Sequence, residues 1–277
     1  MTVRTLLGRD HHALGEIAID ALDRAALAIS LGGASKVYAH TDPNEDAALL
    51  VSGAGGLLVA VADGHGGADA AEIALGSLTP RAEQWTAGPR RELAWRDEAI
   101  AALLDANRTI REAAARGGRR LSRTTLAFAL IREGDPWIRF ASIGDSHVFH
   151  VTPEGALDLA RAKEHDAGHP PSDGTYFLGF GDETEAGLAD KAHVGSEPLP
   201  RTLAVVLATD GLSERGVGVD EPEDVVAMRT REATSAQGPP AIALARGVAD
   251  AAVSAQRRRR SGDNVAVAAV WFGEHGD

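Results

Sequence analysis

Five short segments of the chain concentrate side-chain oxygen: Asn44-Glu45-Asp46, Asp63-Gly64-His65-Gly66-Gly67, Gly144-Asp145-Ser146, Asp210-Gly211-Leu212-Ser213-Glu214 and Gly262-Asp263-Asn264. Oxygen donors of this kind suit hard divalent cations such as Mg²⁺ and Mn²⁺, which favour octahedral sites and keep several waters. Two such cations about 4 Å apart would polarise a shared water into a nucleophile and neutralise the oxygens of a phosphoryl group. One carboxylate can bridge the pair. A glycine beside it lets the backbone come close enough for its carbonyl to serve as a further ligand. Taken singly, each segment also fits ordinary structure: Asp-Gly is a common turn dipeptide, Gly144-Asp145 fits a hairpin, Asn44-Glu45-Asp46 a solvated strand start, and Asp263-Asn264 a cap. The ordered set of five is what points to a cation site.

These acids must be positioned by the elements around them. Asp46–Val51 and Leu57–Ala62 read as strands joined through a Ser-Gly-Ala-Gly-Gly hairpin connection. Gly67–Leu78 reads as a helix stopped before Pro80, and a longer helix is expected from about Arg91 to Arg116, with Leu93, Ile100, Leu104 and Ile110 near one face and Gly117-Gly118 as its stop. Thr124–Ile131, Trp137–Ile143 and Ser146–Val151, with tight connections at Glu133–Pro136 and Gly144-Asp145, predict an antiparallel meander. Thr152–Pro200 is richer in Gly, Pro and Asp and reads as a partly ordered insert. A strand at Thr202–Ala208, a helix at Pro240–Gln256 opened by proline, and a strand at Asn264–Phe272 complete the pattern. Each acidic segment falls where a strand begins or ends. Stacked sheets would therefore bring the carboxylates to one edge. The expected fold class is α/β (α+β): two stacked antiparallel β-sheets flanked by helices, an αββα sandwich. One domain over residues 1–277 is expected, with 1–30 as an N-terminal extension and 152–200 as a flap-like insert.

Composition narrows the function classes. The 277 residues are 44% hydrophobic and 25% charged, an ordinary globular balance. Cysteine is absent, which excludes disulfides, zinc–thiolate sites and cysteine nucleophiles and agrees with a reducing compartment. Forty acids against 28 Lys and Arg give a formal charge of −12, which argues against broad binding of a nucleic-acid backbone. The N-terminus has no signal-like apolar stretch, and no run approaches a membrane span. A cytoplasmic monomer, off the membrane, is the expectation.

The five segments, in this order and spacing, resemble those of the metal-dependent (PPM, or type 2C) protein serine/threonine phosphatases. Asp63-Gly64-His65-Gly66-Gly67 matches the most specific motif of that family. Arg123-Thr124-Thr125-Leu126 resembles its Gly-Thr-Thr segment, Gly144-Asp145-Ser146 its Gly-Asp-Ser, Thr209-Asp210-Gly211-Leu212 its Ser-Asp-Gly element, and Asp263-Asn264 its closing Asp-Asn. The likeness runs from about residue 30 to 273. It implies hydrolysis of phosphoserine and phosphothreonine by direct attack of water on two Mn²⁺ or Mg²⁺ ions, with phosphorylated proteins as substrates in opposition to a serine/threonine kinase. By the same resemblance Asp63 would bridge two metals, the Gly64 carbonyl would join one, and Asp210 and Asp263 would complete the first site. Glu45 and Asp46 would hold metal-bound waters, and Asp145 and Glu214 would form a third, weaker site. His65, placed by its neighbours at the metal edge, is the candidate general acid, because a serine or threonine alkoxide leaves with difficulty unless protonated.

The chain departs from the family at one position of consequence. Many members carry an arginine three residues before the position of Asn44, where it grips the substrate phosphate, and this chain has Thr41. Lys36 and His40 are the candidates to compensate, with Asn264 a third residue on the substrate side. Ser146 is followed by His147 where an arginine is usual. Lys163-Glu164-His165 and Leu178-Gly179 fall in the family's variable flap. Arg257–Arg260 reads as a basic helix end complementing the macrodipole. Thr41 keeps one alternative open, a phosphoprotein-binding pseudophosphatase of the same fold. A metallohydrolase of small phosphate esters is a third reading.

Overall fold

Runs such as Ala-Ala-Leu-Leu-Val and Gly-Leu-Leu-Val-Ala-Val-Ala are apolar on both faces, so each must lie in a sheet covered from both sides. The computed structural model, which describes residues 1–36, 40–88, 93–117, 122–160, 176–179 and 184–273, bears this out. One antiparallel sheet joins β1 (Thr2–Leu7), β4 (Ala47–Gly53), β5 (Gly56–Ala62), β8 (Leu126–Arg132), β9 (Trp137–Ile143) and β12 (His193–Pro198) in the order β1-β4-β5-β8-β9-β12. The second joins β11 (Gly155–Asp158), β10 (His147–Thr152), β13 (Ala204–Ala208), β14 (Val265–Trp271), β3 (Ala25–Ser30) and β2 (Ala18–Leu22) in the order β11-β10-β13-β14-β3-β2. A two-residue ribbon, β6 (Gly64–His65) with β7 (Arg123–Thr124), stands apart.

Alternation along the strands sorts the core into layers. Ala47, Leu49 and Val51 face α1 (Asp69–Thr86) and α2 (Trp95–Gly117), whereas Ala48 and Leu50 face Leu27, Ile29, Val205 and Leu207 of the other sheet. Beneath the second sheet, Val206, Val267 and Ala269 pack on α4 (Pro222–Thr234) and α5 (Pro240–Arg259) through Val226, Leu244, Val248 and Ala252. The remaining described α-helix, α3 (Glu185–Lys191), adds Leu188 to the first layer. This is the helix–sheet–sheet–helix sandwich expected from the sequence. Among the described residues no helix is long and apolar enough to cross a membrane.

Five local expectations need correction or refinement. The helix expected to stop before Pro80 runs through it to Thr86. Proline there removes a ladder bond at a cost of about 3 kcal/mol. Burying Ala82 and Trp85 on the next turns offsets that, at about 1.5–3 kcal/mol for a large side chain. The long helix begins at Trp95; Arg91 and Gly118 lie outside the described residues. The predicted meander is broken at Gly144, because β9 belongs to the first sheet and β10 to the second. Gly144, at φ +97° and pressed against Thr125, turns the chain from one sheet to the other. Residues 1–30, read as an extension, supply β1 to the first sheet and the β2–β3 hairpin to the second. The stretch 152–200 includes β11, α3 and the edge strand β12, while Lys163-Glu164-His165 lies outside the described residues.

Candidate metal centre

The strand register fixes where the acids go. Ala47 pairs with Ala62, Leu126 with Ile143, His147 with Ala208, Ala208 with Val267, and Val265 with Ser30. Asp46 precedes β4, Asp63 follows β5, Asp145 lies between β9 and β10, Asp210 follows β13 and Asp263 precedes β14. All five therefore emerge at one end of the sandwich, two from each sheet and one from the crossing between them. There, one carboxylate oxygen from each of Asp63, Asp145 and Asp210 lies within 4.8 Å of the others.

Asp63 and Asp46 are held by backbone and hydroxyl groups. The Asp63 carbonyl accepts from Thr125 N at 3.0 Å and Thr124 Oγ1 at 2.8 Å, while Thr125 Oγ1 accepts from Asp63 N at 3.2 Å and meets Ser146 Oγ at 2.8 Å. Thr209 Oγ1 donates to Asp46 Oδ2 at 2.7 Å and accepts from Ala266 N at 2.9 Å, tying the start of a first-sheet strand to the second sheet. Gly64 is obligatory, because a Cβ there would sit 2.4 Å from the Glu45 carbonyl oxygen. At Gly211 a Cβ would meet the Asn264 carbonyl at 1.8 Å, which lets the Asp210 turn lie directly on the Asp263-Asn264 segment.

Electrostatics gives the arrangement its character. Burial, then the Asp263 charge, pushes the Asp46 carboxyl up to about 7. Burial, then Asp263, likewise pushes Glu214 up to about 7. Asp63 is raised well above the usual carboxylate range by burial and by Asp46, Asp263 and Asp145, and Asp210 by burial and by Asp63, Asp263 and Asp145. So many buried acids repel one another until something positive sits among them. Asp63 Oδ2 and Glu214 Oε2 are buried and accept no hydrogen bond from a described residue. Unspent oxygens in an all-oxygen set fit hard divalent cations.

The substrate-side candidates occupy three different settings. The Lys36 side chain is only 4% exposed, its Nζ 3.5 Å from Asp263 Oδ1 and 3.8 Å from Glu45 Oε2, so its charge is committed to the carboxylates. Asn264 spends its side chain on Glu45 N, Leu31 O and Pro43 O, and clasps the loop before β4. His40 is exposed. Glu45 Oε1 accepts from Thr41 N and Asp42 N at 2.9 and 3.1 Å, closing the loop ahead of Asp46. His65 stands at the mouth with its side chain 35% exposed, Nδ1 3.6 Å from Asp63 Oδ1 and its ring 4.7 Å from that of Phe177.

Sequence reasoning missed a buried relay behind the site. Asp158 Oδ2 lies 2.6 Å from His147 Nδ1, and His147 Nε2 lies 2.6 Å from Ser213 Oγ, inside the turn that carries Asp210 and Glu214. The departure at His147 was visible in the chain. Its partners, 11 and 66 residues away, were not.

Comparison with known proteins agrees with this geometry. The sequence profile of protein phosphatase 2C matches residues 33–246. No curated protein matches the chain by sequence. Among solved structures, the catalytic domain of the serine/threonine protein phosphatase PstP in complex with two manganese ions is similar, with a TM-score of 0.64 and 19% identity over 94% of this chain and 100% of that one. The S. agalactiae serine/threonine phosphatase has a TM-score of 0.63 and 21% identity, covering 93% and 100%. The PPM Ser-Thr phosphatase MsPP from Mycobacterium smegmatis, in complex with cacodylate, has a TM-score of 0.57 and 23% identity, covering 90% and 98%. These likenesses carry the fold, and the profile carries the family. The chain belongs to the protein phosphatase 2C family of metal-dependent phosphatases.

Proposed function

We propose that this protein hydrolyses phosphoserine and phosphothreonine in other proteins by direct attack of water, with no phosphoenzyme, in opposition to serine/threonine kinases. The observation that carries the reading is the meeting of Asp63, Asp145 and Asp210 within 4.8 Å. Mn²⁺ or Mg²⁺ is the proposed cofactor, as two ions and a third more weakly held. Asp63, the Gly64 carbonyl, Asp210 and Asp263 are the proposed ligands of the pair, and Asp145 and Glu214 those of the third. Bound there, the cations would supply positive charge to the phosphoryl oxygens and acidify the attacking water.

The protein's own groups do the rest. Asp46 and Glu45 are proposed to orient water beside the ligands, Asp46 with its carboxylate steadied by Thr209. His65 is proposed as the general acid. The alkoxide leaving from serine or threonine is strongly basic, so its departure needs a proton. A half-exposed ring at the mouth, 3.6 Å from Asp63, can meet a protein-borne phosphate without burying the partner.

Phosphate release from a phosphoserine peptide and from a chromogenic aryl ester, with and without Mn²⁺, tests the reading. Turnover that requires the metal and disappears in Asp63→Asn is expected. Equal rates in both proteins would remove the mechanism. Absence of turnover combined with tight phosphopeptide binding would favour a pseudophosphatase.

A further inference from the structure

We infer that Lys36 is a resident counter-charge of the metal centre: its ammonium holds Asp263 and Glu45 in place before a cation arrives and thereby limits how tightly Mn²⁺ or Mg²⁺ binds. The inference rests on the ligand set proposed above and adds a residue that tunes its affinity. The backbone brings Lys36 there. Residues 32–36 lie along the segment that leads into Asp263: Lys36 and Gly262 form a parallel bridge, and Gly262 N donates to the Ser35 carbonyl at 3.2 Å. The fit is close, since a Cβ on Gly262 would sit 1.6 Å from the Ala34 carbonyl oxygen and one on Gly32 would sit 2.3 Å from that of Asp263. From this strap the lysine side chain runs inward until it is only 4% exposed, with Nζ 3.5 Å from Asp263 Oδ1 and 3.8 Å from Glu45 Oε2. Both acids are buried.

Removing one partner of a buried ion pair leaves the opposite charge uncompensated in a place that water barely reaches. In the metal-free protein Lys36 therefore supplies part of the positive charge that the clustered acids need. Its field also reaches past its two contacts, opposing the upward push that burial and neighbouring acids exert on Asp46 and Asp63. A divalent cation entering the same cluster meets a like charge already in residence and shares Asp263 with it. A like charge a few ångströms away shifts an ionic equilibrium by about tenfold or more. The lysine thus stabilises the empty site more than the filled one. By linkage, whatever favours the empty state weakens binding.

Lys36→Met keeps the apolar stem and removes the charge, and Lys36→Gln removes the charge but keeps a hydrogen-bond donor. In chelator both variants are expected to melt about 3–5 °C below the wild type, whereas with saturating Mn²⁺ the three melts should nearly coincide. Calorimetry should show Mn²⁺ binding tightened by about tenfold in both variants. A variant that folds only when Mn²⁺ is added would support the inference in a stronger form. Melting temperatures lowered equally with and without Mn²⁺, at unchanged affinity, would reduce Lys36 to an ordinary structural pair and overturn it. Weakened Mn²⁺ binding would overturn it too, by showing that the ordering of Asp263 outweighs the repulsion. Absence of Mn²⁺ binding in wild type and variants alike would remove the ligand reading itself, and the lysine's role toward the metal with it. Mn²⁺ affinity that depends on Lys36 in a protein that turns over no phosphopeptide would remove the phosphatase reading and leave the resident charge standing.

Discussion

Asp46, Asp63, Asp210 and Asp263, on the floor of the cleft, each adjoin the end of a strand five to seven residues long, whereas His65 and Arg123 at its rim ride on a ribbon of two-residue strands. The floor is closed by groups far apart in sequence, such as Thr209 on Asp46, and the carboxyls of Asp46, Asp63 and Asp210 are pushed upward by burial and by neighbouring acids. At the rim, the His65 ring and the Arg123 guanidinium lie against the ring of Phe177. A floor built this way must be preorganised and is intolerant of change, because Asp46, Asp63 and Asp210 each feel the charge of neighbouring carboxylates. A rim built on stacking can vary, and it does: this chain has threonine at 41 and arginine at 123, where the family resemblance anticipates arginine and glycine.

If that contrast is right, floor substitutions should cost most. Asp210→Asn should lower kcat/KM on the order of 10³-fold or more, the scale of losing a group that acts in the transition state. A fall below tenfold in steady-state kinetics would break the comparison. His65→Ala, at the rim, should cost about 10²-fold on a phosphoserine peptide and under tenfold on an aryl ester, whose leaving group needs less help. Comparable losses on both substrates would remove the acid role.

Next in size is a response of stability to pH and metal. Asp46 and Glu214, held up to about 7, keep protons in the folded state that the unfolded chain gives up near pH 4. Their contribution is therefore present at low pH and is lost as pH rises from about 4 through 7. Metal-free protein should melt lower at pH 8 than at pH 5, and saturating Mn²⁺ should restore about 5–10 °C at pH 8. Thermal melts in chelator and in Mn²⁺ measure this, and a flat profile in chelator would mean the acids are not mutually buried. Smallest is the relay behind the floor: Ser213→Ala should weaken Mn²⁺ affinity by about tenfold or less, as outer-shell partners do, with kcat at saturating metal little changed.

The grouping of acids at strand ends was largely legible in the chain; of the rim, His65 stood out and the ring contacts around Phe177 did not. Acids beside glycines at the ends of apolar runs announce themselves, and glycine at 64 and 211 is required by carbonyl oxygens that a Cβ would meet at 2.4 and 1.8 Å. The two-sheet sandwich followed from strands joined by hairpins and flanked by helices. What escaped depended on long-range pairing: that β9 and β10 part company at Gly144, that Lys36 is buried against Asp263, and that His147 meets Ser213. Pro80 misled because its local penalty is offset by the burial of Ala82 and Trp85 beyond it. The helix Pro222–Thr234 was missed although proline stands at its first turn.

Asp63 adjoins one sheet, Asp210 the other, and Asp145 the strand of chain that crosses between them. A cation shared by these three would rivet the two halves of the sandwich together at that end. Loading should then slow amide exchange at the C-terminal ends of β5 and β13 alike, and protection lost at one seam on chelation should be lost in step at the other. The catalytic ion would in that sense double as a mechanical fastener, and the lifetime of the closed sandwich would track the residence time of the metal.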